Sequence, residues 1–284
     1  LRKQSSSSRL KERFLTIFAK SRACAQKALN LIISSIDLYD GQVPWLKGMD
    51  FIAYSDTEPK YLDPEEKKRA VEMSASVGGI SLACAIAAKA SRKEKFVYGI
   101  AKYAFSISLF SIPGVDLEPS ARHIPIFRLP DDHIKLSHAI ISAYSAIEEL
   151  GLEIRASSKK PSKIKDQWNP AVKSDLEQRL MKAKININEN MLWMRRGTRT
   201  KIERKKSPPI STKAPWAGGL QIRDCDINLI EAISLAHWLR SHVASHKTKD
   251  LTKVISPYDV INVQHLARRL LLEILGFWKF LSKE

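Results

Sequence analysis

Along most of the chain, apolar residues recur every three or four positions, the spacing of a helix that buries one face, and not at the alternate positions of a half-buried strand. Residues 9–38 follow a serine run and carry Phe14, Ile17, Phe18, Leu29, Ile32 and Ile33, which predicts a first helix. Residues 40–59 are broken by Gly and Pro and predict a loop anchored by Trp45. At Asp63-Pro64 an aspartate can cap and a proline can take the first turn, so a second helix is expected to run through the small-residue segment 74–88 toward Ala90. The basic turn 91–95 leads into an apolar helix that stops before Pro113-Gly114. Prolines 113, 119, 125 and 130 mark an extended excursion, and Asp131-Asp132 open a helix to about Leu150.

Beyond Gly151 the composition turns to Ser, Lys and Pro, the mark of a linker, up to Pro170. A short amphipathic helix is expected over Pro170 to Ala183, then a basic aromatic stretch, then a Pro- and Gly-containing loop over 207–219. The next helix starts after Asp224 or Asp226, either of which can cap it. The last starts at Ser256, with Pro257 in its first turn and Asp259 at its third position. Its wide apolar face runs from Val260 to Leu281, with Arg268, Arg269 and Glu273 expected outward. The expected fold is therefore all-α, a helical bundle with a long basic connector. Four parts are expected: residues 1–60, an N-terminal helix and loop; 61–150, helices packing on the C-terminal bundle; 151–222, the connector; and 223–284, the C-terminal helices.

Length and composition leave this picture intact, since 284 residues with 44% hydrophobic content can bury a substantial core. Cys24, Cys84 and Cys225 are far apart and show no metal-ribbon or disulfide spacing, so no metal or other cofactor is expected and a reducing cytoplasm is the expected compartment. Segment 74–88 is short for a bilayer span, which predicts no membrane insertion. Charge changes the picture more. Residues 151–223 hold 18 Lys/Arg against 6 Asp/Glu, a net of +12 within a total of +17. The densest part, Trp193 to Lys206, offers Arg195, Arg196, Arg199, Lys201, Arg204, Lys205 and Lys206 for phosphates and the Trp193 ring for base stacking, so RNA is the expected partner.

The helix that follows carries the candidate chemistry. Leu229, Ile230, Ala232, Ile233, Ala236, Leu239, Val243 and Ala244 share an arc on which Arg240 also falls. A guanidinium there is costly to bury unpaired, so it should meet an anion or line a cleft. His246 follows about 9 Å further along a regular helix and roughly 120° around it, so within one chain the two would bracket a phosphate without touching. His242 and His246 have the four-residue spacing of metal ligands but no third ligand, and Val243 stands where a zinc-protease helix carries glutamate. His237, on the flank of the arc, reads as a satisfied half-buried residue that could line a cleft together with His242.

Leu239-Arg-Ser-His-Val-Ala-Ser-His246 resembles the R-x(4–6)-H signature of HEPN domains, and residues 256–276 resemble the last helix of the Apea-like branch of that family. The resemblance covers about the last sixty residues. It implies an α-helical bundle paired as a two-fold homodimer, with Arg and His of both copies facing one composite cleft, and metal-independent endoribonuclease activity giving 2′,3′-cyclic phosphate and 5′-hydroxyl ends. Arg240 would hold the scissile phosphate and His246 would move the proton. Ser241 stands where active members often carry Asn, Asp or His. A toxin or antiviral defence role, with an antitoxin or defence-complex partner, is implied by the resemblance alone. Nucleotide-binding glycine loops and a serine-hydrolase elbow are absent, and carboxylate pairs such as Glu148/Glu149 are explained as helix-end residues. Two rivals stay open: a non-catalytic module binding RNA or another phosphate ligand, and an assembly subunit contacting a partner through its last helix.

Overall fold

The computed structural model describes residues 19–40, 78–111, 130–164, 167–196, 216–217, 220–245 and 257–281, together with residues 17 and 255. Among these the fold is mostly helical, as the spacing predicts. The helices are α1 (Arg22–Asp40), α2 (Gly78–Ala90), α3 (Glu94–Leu109), α4 (Pro130–Glu149), α5 (Pro170–Lys182), α6 (Leu229–Ser245), α7 (Pro257–Leu275) and the one-turn α8 (Trp278–Leu281). The expected helix start at Asp63, the Trp45 anchor and the 113–129 excursion lie outside the described residues. No described helix is long and apolar enough to cross a membrane.

Helix α7 occupies the centre. Leu266, Ala267, Leu270, Leu271 and Leu272 are fully buried, and the helix contacts α3, α4, α6 and β3. The α3–α4 pair is held at close range by small residues. A Cβ on Gly99 would stand 3.1 Å from the Leu271 side chain, so glycine lets α3, α4 and α7 meet at one point. Ser106 donates to the Ala139 carbonyl at 2.7 Å and Ser142 to the Lys102 carbonyl at 2.8 Å. Gln264 donates to Ser106 Oγ at 3.0 Å and to the Phe110 carbonyl at 2.8 Å, which satisfies a buried amide.

The last helix departs from expectation in two ways. It ends at Leu275, and the positive φ of 75° at Gly276 just after it allows the reversal that separates α7 from α8. Its arginines also face inward. Arg268 donates to the Leu38 and Tyr39 carbonyls at the end of α1. Arg269 has a side chain only 3% exposed, bonds the Asn190 carbonyl at 3.0 Å, and meets Glu189 at 3.0 Å and Glu273 at 3.8 Å. Each finds a partner that a single-helix projection cannot supply, which is why the outward expectation fails.

A small antiparallel sheet is the larger addition to the predicted helices. β3 (Asn190–Arg196) pairs with β5 (Leu220–Asn228), and β5 with β4 (Trp216–Ala217). β1 (Lys163–Ile164) pairs antiparallel with β2 (Gln167–Trp168) in a separate two-stranded sheet, and Lys163 and Trp168 both bond Glu231 of α6. On the side of β3 away from β5, Asn262 acts as a surrogate strand. Its amide accepts from the Met194 N–H at 2.8 Å and donates to the Met194 carbonyl at 2.7 Å. Because β5 extends to Asn228, Asp224 and Asp226 are strand residues and do not cap α6. Asn228 does, accepting the Glu231 N–H at 2.9 Å. The expected amphipathic helix at 170 is present as α5, capped by Asn169 and opened by Pro170, with Val172, Leu176 and Leu180 buried.

Candidate functional site

Helices α4 and α6 run side by side in the same direction, and their facing side chains form two polar pairs, one turn apart. Tyr144 Oη lies 3.1 Å from His237 Nδ1, and Glu148 Oε1 lies 3.4 Å from an Arg240 terminal nitrogen. On α4 these partners are four residues apart and on α6 three, so each helix presents one polar stripe to the other. The remainder of the contact is apolar, with Ala143, Ile147, Ile233 and Ala236 buried.

Arg240 is in the arc predicted for it and is 40% exposed, with its charge turned to Glu148 at the rim and not sealed among leucines. Glu148 also accepts from Ser145 Oγ at 3.2 Å, and the neighbouring Glu149 is held by Lys102 at 2.7 Å. Glu148 and Glu149 do close α4, as read from the sequence, but the helix dipole does not account for them. A helix C-terminus is the negative pole of the dipole and disfavours carboxylates, so cations on α6 and α3 hold them there.

His237 is half-buried and hydrogen-bonded, in keeping with the satisfied reading. Burial first, and the Arg240 charge second, push its pKa below the usual histidine value. Tyr144 is 1% exposed, and burial pushes its phenol well above the usual range. Its oxygen also accepts the Ile154 N–H at 3.3 Å. That amide is placed by a reversal at Gly151, where φ is 74° and the Leu152 N–H returns to the Ile147 carbonyl at 3.2 Å.

The other sequence-predicted residues are more scattered. Ser241 donates its hydroxyl proton to the His237 carbonyl at 2.9 Å, one turn back in its own helix, so that proton is not offered to a phosphate. His242 turns Nδ1 to the Trp238 carbonyl at 2.8 Å, and its ring lies tilted against the Trp238 ring with centroids 3.8 Å apart. Trp193 is 2% exposed. It is therefore a core residue of β3, and the expectation that it stacks on bases is corrected: strand alternation sends Met191 and Trp193 inward and Leu192 outward. Arg195 and Arg196 end β3, opposite Arg223 and Ile222. Arg199, Lys201, Arg204, Lys205, Lys206 and His246 lie outside the described residues.

Sequence reasoning passes over Tyr144 and Ile154, and gives Glu148 no part in the site. The one available hint was Tyr144 itself, a phenol on an otherwise Ala- and Ile-rich face, whose hydroxyl must find a partner once buried. Among the described residues no group of three His, Cys, Asp or Glu side chains is placed to hold a metal ion. In comparisons with known protein families, with curated proteins and with solved structures, the chain matches none.

Proposed function

We propose that the chain is an RNA-directed phosphodiesterase, an endoribonuclease of HEPN type whose cleavage centre is built on Arg240. The single observation that carries this reading is a guanidinium on an apolar helical face that reaches the rim 40% exposed, one turn after a half-buried imidazole. A phosphate oxygen takes the place that a Glu148 oxygen holds, and the fixed cation stabilises the charge that builds on phosphorus-bound oxygens as the bond breaks. In the reaction a 2′-hydroxyl gives up its proton and attacks phosphorus. The 5′-oxygen leaves with a proton, which yields a 2′,3′-cyclic phosphate and a 5′-hydroxyl. His246 is assigned the proton transfer on the resemblance, with a second copy of the chain completing the cleft, and the net charge of +17 draws the RNA in.

Incubation with total RNA in chelator tests this directly. Cleavage with cyclic-phosphate ends is expected, and Arg240→Ala should lower it at least about a hundredfold, the scale of a lost oxyanion contact. Intact RNA with wild-type protein at every concentration would sink the reading. One observation favours the binding-module rival instead: Glu148 already neutralises Arg240 at 3.4 Å. That rival predicts RNA retention that falls steeply with salt, and no cut ends.

A further inference from the structure

We infer that His237 is held as a neutral imidazole presenting Nε2–H as a fixed hydrogen-bond donor to the phosphate gripped by Arg240, with Tyr144 as its positioning residue; this rests on the reading of Arg240 as an anion-holding group and gives that site a second contact.

The assignment follows from proton counting. A phenol has one proton to give, and Tyr144 is buried, so that proton needs an acceptor. The Ile154 N–H already points at the phenol oxygen, which makes the oxygen an acceptor there. The hydroxyl proton is then directed at His237 Nδ1, 3.1 Å away. An imidazole that accepts at Nδ1 has no proton there, so it is neutral and carries its one N–H at Nε2. Burial and the neighbouring guanidinium both disfavour the second proton.

The group that sets this tautomer is itself fixed. Arg179 donates to the Gly151 carbonyl and to the Glu153 carbonyl at 2.8 Å, while Asp175 anchors the same guanidinium at 2.8 Å. The 151–154 turn cannot drift without breaking these bonds, so the Ile154 N–H stays on Tyr144. Residues three apart share a helix face, which places the imidazole beside Arg240. A general base would need a lone pair on Nε2, the nitrogen not engaged with Tyr144. Here that nitrogen bears hydrogen, so His237 binds and stabilises while the 2′-hydroxyl proton goes to another group. A neutral N–H donor next to a cation holds an anion without adding a charge that a buried site must solvate.

Long-range proton–nitrogen spectra of the histidine rings in the wild-type chain test the tautomer without any variant. A protonated Nε2 and bare Nδ1 are expected for His237 near neutral pH, and a dominant Nδ1–H form would overturn the inference. Binding is read with a single-stranded 2′-deoxy oligonucleotide, which cannot be cleaved by 2′-hydroxyl attack. His237→Leu should weaken it about ten- to a hundredfold, the scale of a lost hydrogen bond to a charged group. His237→Gln, whose amide N–H reaches nearly the same point, should stay within about threefold. Tyr144→Phe should raise the Nδ1–H fraction and weaken binding. If wild-type protein binds with this pattern but never cuts RNA, the nuclease reading fails and the donor assignment stands. If RNA is cut while His237→Leu binds unchanged, the donor assignment alone fails. Loss of cleavage in His237→Gln with binding retained would make His237 a base, and would also overturn it.

Discussion

Two helix arginines in different settings show how a partner decides what a residue can do. Arg269 is enclosed by Glu189, Glu273 and the Asn190 carbonyl, with its guanidinium 5.6 Å from the Trp278 ring centre. It ties α7 to the start of β3 and has no face left for a ligand. Among the described residues Arg240 has one carboxylate partner, Glu148, and it stands at the rim. Glu148 is thus the counter-ion that lets a cation sit on an apolar helix face, and in the proposed function it competes with the phosphate for Arg240. Glu148→Gln should leave stability within about 1 kcal/mol, as for other partly exposed ion pairs. It should also tighten binding of a short oligonucleotide several-fold. Unchanged affinity, measured by fluorescence anisotropy at fixed salt, would mean that the guanidinium does not meet the anion.

Elements were legible where the signal was local. Asp131-Asp132, Asn169-Pro170 and Ser256-Pro257 each announce a helix start, and α4, α5 and α7 begin at Pro130, Pro170 and Pro257. The basic stretch was opaque because β3 reads as an extended segment with one aromatic ring. Its strand character depends on β5 on one side and on Asn262, 68 residues away, on the other. The site was half legible for the same reason: Arg240 and His237 stand out on their own helix, whereas Tyr144 and Glu148 acquire meaning only from the α4–α6 register. Asn262→Leu tests the clamp. It keeps a similar shape but leaves the buried Met194 N–H and carbonyl without partners, at about 1–3 kcal/mol each. Urea unfolding should show a loss of about 2–5 kcal/mol. A loss under about 1 kcal/mol would mean that water or a neighbouring chain satisfies the strand just as well.

At the scale of the molecule, the same polar stripe couples folding to acidity. The net charge of +17 makes the compact state repel itself more as carboxylates are protonated, and that background is shared by any variant of similar charge. His237 adds a contribution of its own. Its neutral form is favoured in the fold by burial and by Arg240, with Tyr144, Glu148 and Glu153 the other ionisable groups around the stripe. In the unfolded chain it titrates near the ordinary value of about 6.5. Between that value and its lower value in the fold, the unfolded state binds more protons than the native state. The free energy of unfolding must therefore rise with pH across this interval. The contribution is fully present above about 6.5, is lost as pH falls toward the folded pKa, and changes no further below it. His237→Gln keeps a donor at the site but cannot titrate, so this part of the slope should vanish while the carboxylate-driven loss near pH 4 remains. The informative quantity is the difference between wild-type and variant unfolding free energies measured from pH 8 to 4. That difference should be constant above about 6.5, shift against the wild type just below, and flatten again in stronger acid. Parallel curves throughout would show that the imidazole carries the same proton affinity folded and unfolded, and that the Tyr144 bond does not hold it neutral.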